Sequence, residues 1–174
     1  MRVFISLKLG ICRTFQPARS AAASTLAGTR KGNLLVSWLI VAFALTAQQG
    51  HACTLNVTGV NFGSYDVFSN SALDSTGNID VNCPNGVGYS MALTAGGGNY
   101  TQRVMSSGVH RLNYNLYTAA NRAVVWGDAI SGTVTVNGTG IGVNVNHGVY
   151  GRIPALQYLY PGSYSDIIIV ELTF

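Results

Sequence analysis

The sequence is poor in charge. Only 9% of its 174 residues are Asp, Glu, Lys or Arg, and no lysine occurs after Ala52. The residues after Ala52 carry four arginines against six acidic residues, a formal charge of about −2 in which neither sign clusters. The whole-chain charge of +4 therefore comes from the first 52 residues. Without a basic stripe the remaining domain does not fit a nucleic-acid partner, and we exclude that class of function.

Apolar runs long enough to cross a membrane are also lacking. The run at 34–47 is shorter than the roughly 20 residues that a spanning helix needs. It follows six Lys/Arg residues and precedes the small-residue site Gly50-His51-Ala52, which is typical of a secretory signal peptide. We predict that residues 1–52 are a signal peptide with a long basic n-region, and that residues 53–174 are one secreted domain without a membrane span. Lipidation of Cys53 is disfavoured because no Leu-like residue stands three positions before it.

Cysteine is scarce, with three in the chain, and Cys12 lies in the predicted leader. The other two, Cys53 and Cys83, would enter an oxidising compartment, where a pair usually forms a disulfide. In Cys53–Val57 and in Ile79–Cys83 the cysteine shares one strand face with alternate apolar residues. Both thiols are therefore expected to point into the core, and we predict a Cys53–Cys83 disulfide.

Helical periodicity is missing after Ala52, where apolar residues instead alternate with polar ones. Turn clusters such as Pro84-Asn-Gly86 and Tyr160-Pro-Gly162 separate the alternating segments. About seven strands with such spacing predict an all-β, immunoglobulin-like antiparallel β-sandwich. The predicted strands are Cys53–Thr58, Asn78–Cys83, Tyr89–Ala95, Leu112–Tyr117, Thr133–Asn137, Val143–Val149 and Ser163–Phe174.

The last predicted strand has the clearest pattern. One face carries Tyr164, Ile168, Val170, Leu172 and Phe174, interrupted by Asp166 near its start. No hairpin follows this strand in the sequence. If it lies at a sheet edge, its unpaired N–H and C=O groups can pair with another strand.

Residues in catalytic or metal-binding patterns are few. His147 is in phase with Val143 and Val145 and is expected to be a partly buried sheet residue, whereas His110 is expected to face solvent. Asp74 and Asp80 flank a turn but lack the ligand spacing of a calcium loop. No serine lies in a nucleophile-elbow pattern. We predict no enzyme activity, no catalytic residues, no cofactor and no metal.

Six segments of the domain together resemble the spore coat protein U domain family, which includes subunits of archaic (Csu-type) chaperone–usher pili. The resemblance covers nearly all of residues 53–174, with the segments in the family's order. They are Asn61-Phe-Gly-Ser-Tyr-Asp66, Leu73-Asp-Ser-Thr-Gly-Asn-Ile79, Leu112-Asn-Tyr-Asn-Leu-Tyr117, Val125-Trp-Gly-Asp128, Val149-Tyr-Gly-Arg-Ile-Pro154 and Pro161-Gly-Ser-Tyr-Ser-Asp166.

The resemblance implies an incomplete immunoglobulin-like sandwich that lacks its final strand. It implies three kinds of partner: a periplasmic chaperone that lends a strand, an outer-membrane usher, and further pilus subunits whose N-terminal extensions replace the chaperone strand. The product would be an extracellular fibre, reached through the periplasm, that serves adhesion and biofilm formation. By the same resemblance, the strand-acceptor groove would be bordered by Ile168, Val170, Leu172 and Phe174.

One feature departs from a polymerising subunit. A strand donor needs roughly ten or more residues ahead of its first domain strand, and Cys53 directly follows the predicted cleavage site. The chain is therefore expected to accept a strand without donating one, at a fibre terminus or outside a fibre. The alternative is a self-contained secreted coat or carbohydrate-binding module, for which Tyr100, Tyr158 and Tyr160 could stack on sugars.

Overall fold

The computed structural model of the chain describes residues 2–13 and 52–174, with the side chains of residues 2–8 in the first segment. The apolar run at 34–47 and most of the expected cleavage site lie outside the described residues, so the signal peptide stays a prediction. No helix occurs within the described ranges, and hence none there could cross a membrane.

The described residues form ten strands in which β-branched, aromatic and polar residues alternate. In chain order they are β1 (Arg2–Arg13), β2 (Thr54–Thr58), β3 (Val60–Ser64), β4 (Leu73–Asn82), β5 (Gly88–Leu93), β6 (Arg103–Ser107), β7 (His110–Tyr117), β8 (Val136–Thr139), β9 (Val145–Ile153) and β10 (Ser163–Thr173).

The strands follow the path β2-β4-β9-β7-β6-β10-β1-β3, with β5 paired to β10 and β8 paired to β5. One layer contains β2, β4 and β9, and the other contains β3, β1, β10, β5, β8 and β6, which pairs with β7. The end of β7, at Asn115–Tyr117, pairs with β9 and connects the layers. The strand-to-strand pairings are antiparallel except for β1 with β10. The predicted antiparallel sandwich is confirmed.

Each of the seven predicted strands overlaps an observed one, but three strands were not predicted. β3 is short and has few residues in which to show its alternation. β6 begins with Arg103, which looks like a surface residue although it is fully buried. β1 lies inside the predicted leader, for which the sequence predicts an export signal rather than a strand. Its signal was the alternation of Val3, Ile5 and Leu7 with Arg2, Phe4, Ser6 and Lys8.

The core lies between the two layers, and its largest buried side chain is Trp126, whose indole N–H donates to the carbonyl of Met91 at 3.1 Å. At one end of the core Cys53 and Cys83 are joined, with the sulfur atoms 2.02 Å apart. This confirms the predicted disulfide, which ties the residue before β2 to the residue after β4. Other fully buried members of the core are Ile79, Val81, Met91, Leu93, Leu112, Leu116, Val149 and Ile153.

Candidate strand-binding groove

The last strand, β10, provides one side of the candidate site. Ile168, Val170 and Leu172 are fully buried on its inner face, and Phe174 is partly buried where the strand ends. Ile167 on the outer face is 50% exposed. The C-terminal half of β10 pairs on one side with β5, from Val170↔Leu93 to Thr173↔Ser90. Its opposite edge carries a different strand.

That opposite edge of β10 is covered by β1. The two strands run parallel, with Val3 opposite Tyr164 and Leu7 opposite Ile168. The other edge of β1 pairs antiparallel with β3, from Arg2↔Ser64 to Ile5↔Val60. Adjacent strands lie about 4.8 Å apart, so β3 and β10 stand roughly 10 Å apart with one strand between them. Residues 52–174 alone therefore contain a groove one strand wide.

Alternate side chains of β1 fill this groove and complete the core. Val3, Ile5 and Leu7 are 1%, 2% and 6% exposed, whereas Phe4 between them is 46% exposed. Because successive side chains of a strand point to opposite faces, this is the burial expected of an occupant that fills an apolar groove. The groove is occupied by apolar side chains that are distant in sequence from the domain.

The wall formed by β3 is held by contacts that do not involve β1. Val60 and Phe62 are buried in the core. Just after β3, the buried Tyr65 donates its hydroxyl to the carbonyl oxygen of Pro154 and accepts the N–H of Gln157, both at 2.9 Å. Ser75 on β4 donates its hydroxyl to the carbonyl of Asn61 at 2.6 Å. β3 is thus fixed to the opposite layer on its own account.

Asp166 interrupts the apolar face of β10 and takes part in a polar cluster. Its carboxylate accepts the hydroxyl of Tyr114 at 2.6 Å and the backbone N–H of Gly97 at 3.1 Å. Burial, and then the nearby Asp166 charge, raise the pKa of Tyr114 far above its usual range, which keeps the phenol protonated as a donor. Asp166 connects β10 to β7 and to the loop between β5 and β6.

The strands next to β10 also contain a buried cation that the sequence did not reveal. Arg103 is 0% exposed and donates to the side-chain oxygen of Asn115 at 2.6 Å, the carbonyl of Trp126 at 2.7 Å and the carbonyl of Thr94 at 2.9 Å. Burial lowers the pKa of Arg103. Because the guanidinium is hydrogen-bonded to fixed acceptors, it connects β6 to β7 and to the segment around Trp126.

The residues considered for chemistry do not form one site. Asp74 receives two hydrogen bonds from the guanidinium of Arg152, at 2.7 and 2.8 Å, and that contact lowers its pKa. Asp80 accepts the side-chain amide of Asn146 at 2.7 Å. The expected turn between them is wrong, because β4 runs from Leu73 to Asn82 and carries both carboxylates, each with its own donor from β9. Nothing in this arrangement resembles a shared calcium site.

The two histidines of the domain also lie apart. His147 is partly buried, as predicted, with its Nε2 2.8 Å from the hydroxyl of Tyr89, and burial lowers its pKa. The ring of His110 stacks on Tyr160, with the ring centroids 4.5 Å apart, and is partly rather than fully exposed. Each histidine has an aromatic neighbour. Within residues 52–174 neither ring is hydrogen-bonded to a serine or cysteine that it could activate as a nucleophile.

The tyrosines considered for sugar stacking differ in exposure. Tyr158 is 92% exposed and Tyr160 is 68% exposed, and with Phe68 they border an open hollow of about 290 Å³. Tyr100 is partly buried, and burial together with Asp128 raises its pKa to about 12. Tyr100 is therefore not part of that exposed aromatic surface.

Comparison with known proteins gives three findings. The profile of the Spore Coat Protein U domain matches residues 39–171. Protein U of Myxococcus xanthus is 30% identical over 148 residues, which covers 74% of this chain and 80% of that protein. These matches confirm the resemblance noted in the sequence.

The third finding is a structural likeness to the crystal structure of a complex from archaic chaperone–usher Csu pili of Acinetobacter baumannii. That structure is the pre-assembly complex of the chaperone CsuC with the tip adhesion subunit CsuE. The TM-score is 0.52 and the identity 21%, with coverage of 71% of this chain and 39% of that chain. The chain thus spans well under half the length of the chain it matches, and the likeness supports the immunoglobulin-like fold.

Proposed function

Since this chain belongs to the Spore Coat Protein U domain family, we propose that it is a secreted, non-enzymatic surface subunit of the pilus type. In this proposal residues 1–52 direct export to the periplasm. The groove between β3 and β10 then accepts a strand from a periplasmic chaperone. At the outer-membrane usher, a strand from another subunit replaces it. The assembled fibre serves adhesion and biofilm formation at the cell surface.

The observation that carries the proposal is the position of β1. A strand that is remote in sequence fills the space between β3 and β10 and contributes Val3, Ile5 and Leu7 to the core. A groove that takes one such strand has the main-chain groups and the apolar floor to take another of similar pattern. Ile168, Val170, Leu172 and Phe174 are the proposed contacts on β10.

The energetics of strand addition fit this groove. An added strand satisfies the free N–H and C=O groups of β10 and β3, which gives affinity, while its alternate side chains give specificity. An unfilled groove would leave two strand edges and the apolar side chains of Ile168 and Leu172 open to solvent, which favours aggregation. A chaperone that supplies the strand would remove that hazard during export.

A second candidate is a self-contained secreted coat or carbohydrate-binding module. Here the supporting observation is that the strand in the groove comes from the same chain, so a secreted protein that keeps residues 2–13 would need no second protein to close the sandwich. The exposed rings of Phe68, Tyr158 and Tyr160 would be the sugar-stacking surface.

The two candidates differ in what the secreted protein needs in order to fold. We would export the chain to the periplasm with and without a co-expressed periplasmic pilus chaperone, and determine the processed N-terminus by sequencing. The pilus-type function predicts little soluble protein alone and a stable one-to-one complex with the chaperone. Leu172→Asp should abolish that complex, whereas Glu171→Ala, on the exposed face of the same strand, should leave it intact. A soluble, stable monomer without the chaperone would contradict the assembly function and support the self-contained module.

A further inference from the structure

The three most exposed aromatic side chains among the described residues lie together at one end of the sandwich. Phe68 comes from the loop between β3 and β4, and Tyr158 and Tyr160 come from the loop between β9 and β10. We propose that this aromatic surface is a binding site for a neutral carbohydrate, separate from the groove. The inference rests on the proposed function, since it names the class of ligand that a pilus-type subunit or a self-contained module would hold at the cell surface.

The first argument is that the exposed rings are clustered. Single apolar side chains are common on protein surfaces, whereas a contiguous apolar patch marks an interaction site. Here the three rings border one hollow of about 290 Å³, which Val67 and Leu159 also line. Both of these residues are partly buried and pack against the core. The rings thus stand around an apolar floor that the core holds in place.

The second argument is that the two loops are fixed to each other. The hydroxyl of Tyr65, at the start of one loop, donates to the carbonyl of Pro154 and accepts the N–H of Gln157 in the other. Tyr164 donates its hydroxyl to the carbonyl oxygen of Tyr160 at 3.0 Å. Because the backbone beneath the rings is already ordered, a ligand would bind there with little loss of conformational freedom in the protein.

The third argument is the chemistry of the residues around the hollow. The negative face of an aromatic ring attracts the C–H groups of a pyranose, and a tyrosine adds a hydroxyl that donates and accepts. An adjoining hollow of about 240 Å³ shares Phe68 and reaches Asp66. The residues that line the two hollows carry one charge, the Asp66 carboxylate, which accepts hydroxyl donors and repels anions. A neutral ligand with hydroxyl groups and an apolar face, which describes a sugar, fits this set.

The fourth argument is that a strand in the groove leaves the aromatic surface open. β1 fills the groove in this structure, and Phe68, Tyr158 and Tyr160 are nevertheless largely exposed. Tyr160 lies just before the start of β10, whereas Phe174 lies just beyond its end. The 11 residues of β10 separate these two ends by roughly 30 Å. One domain could therefore accept a strand and hold a sugar at the same time.

A binding assay with the exported protein tests the site. The protein would be purified from the periplasm, alone or in complex with the co-expressed chaperone, and the chaperone by itself would be the blank. The probes are cellulose, chitin, xylan and amylose as neutral polysaccharides and alginate as an acidic one. We expect binding to at least one neutral polysaccharide and weaker binding to alginate.

Substitutions locate the binding surface. Tyr158→Ala and Phe68→Ala should each weaken binding to the neutral polysaccharide roughly 3- to 10-fold, because each removes one stacking ring. Both side chains are exposed, so these variants should keep the thermal stability of the parent protein. Tyr158→Trp retains a ring and should retain binding. The matched control is Ile130→Ala, which removes an exposed apolar side chain from the loop between β7 and β8 and should leave binding unchanged.

Several outcomes would overturn the inference. They are the absence of binding to every neutral polysaccharide, tighter binding to alginate, binding that neither alanine variant weakens, and an equal loss with Ile130→Ala. Competition by polystyrene beads or a polyproline peptide as strong as that by soluble oligosaccharides would assign the surface to another class of partner. A chaperone complex that binds no polysaccharide would overturn this inference alone. Polysaccharide binding without a chaperone complex would instead contradict the pilus-type function and leave the inference standing.

Discussion

The three consecutive isoleucines of β10 allow one sharp test of the groove. Ile168 is fully buried on the inner face, while its neighbours Ile167 and Ile169 are 50% and 40% exposed on the outer face. Replacing a buried isoleucine by alanine removes its transfer free energy and leaves a cavity, so Ile168→Ala should lower the free energy of unfolding by roughly 2–5 kcal/mol. For a domain of this size that is a fall in Tm of roughly 6–20 °C. Ile167→Ala should lower the free energy of unfolding by less than about 1 kcal/mol.

The assay is thermal and urea unfolding of the full, disulfide-bonded chain, followed by circular dichroism, with Ile167→Ala as the matched control. A double-mutant cycle between Leu7 and Ile168, which are opposite each other in β1 and β10, would extend it. Residues in contact give interaction energies of roughly 0.5–3 kcal/mol, so the two alanine substitutions should not be additive. Equal effects of Ile167→Ala and Ile168→Ala would refute the assigned faces of β10, and strict additivity would refute the contact with β1.

Three further predictions follow from the frame around the groove. Reducing the Cys53–Cys83 bond, which spans 30 residues, should lower stability by roughly 3–4 kcal/mol, measured as the shift in urea midpoint with and without reductant. Arg103→Met should cost roughly 2–4 kcal/mol because it leaves buried carbonyls without donors, whereas the exposed Arg111→Met should change the unfolding free energy by less than about 0.5 kcal/mol. Burial lowers the pKa of His147 below 6.5, so the folded state resists its protonation; the associated stability is present above about pH 6.5 and is lost as the pH falls through the lowered value. His147→Gln should flatten that part of a stability-versus-pH curve, and an unchanged curve would contradict the assignment.

The alternation along β2, β5, β7 and β10 made the sandwich predictable. Successive side chains of a strand point to opposite faces, so an apolar residue at every second position identifies the buried face. The disulfide followed from the same reasoning, since Cys53 and Cys83 each shared a face with apolar residues. These features depend on neighbours within a few positions, which a sequence displays.

The features that could not be predicted depend on contacts between distant residues. Nothing local distinguishes the buried Arg103 from a surface arginine, because its acceptors on Thr94, Asn115 and Trp126 come together only in the folded sandwich. β1 was missed for a different reason. Its apolar residues alternate as in a strand, but its basic residues are also typical of an export signal, and the local sequence does not distinguish the two.

The arrangement of fixed contacts explains how a groove of this kind could exchange its occupant without unfolding. The disulfide holds β2 to β4, the hydroxyl of Tyr65 ties the end of β3 to Pro154, and Arg103 joins β6 and β7 behind β10. None of these contacts includes a residue of β1. The walls of the groove are therefore braced through the opposite layer, and the free energy of those braces is retained when the strand between β3 and β10 changes. A domain braced instead through its occupant would lose both walls with it, and strand exchange would then require refolding.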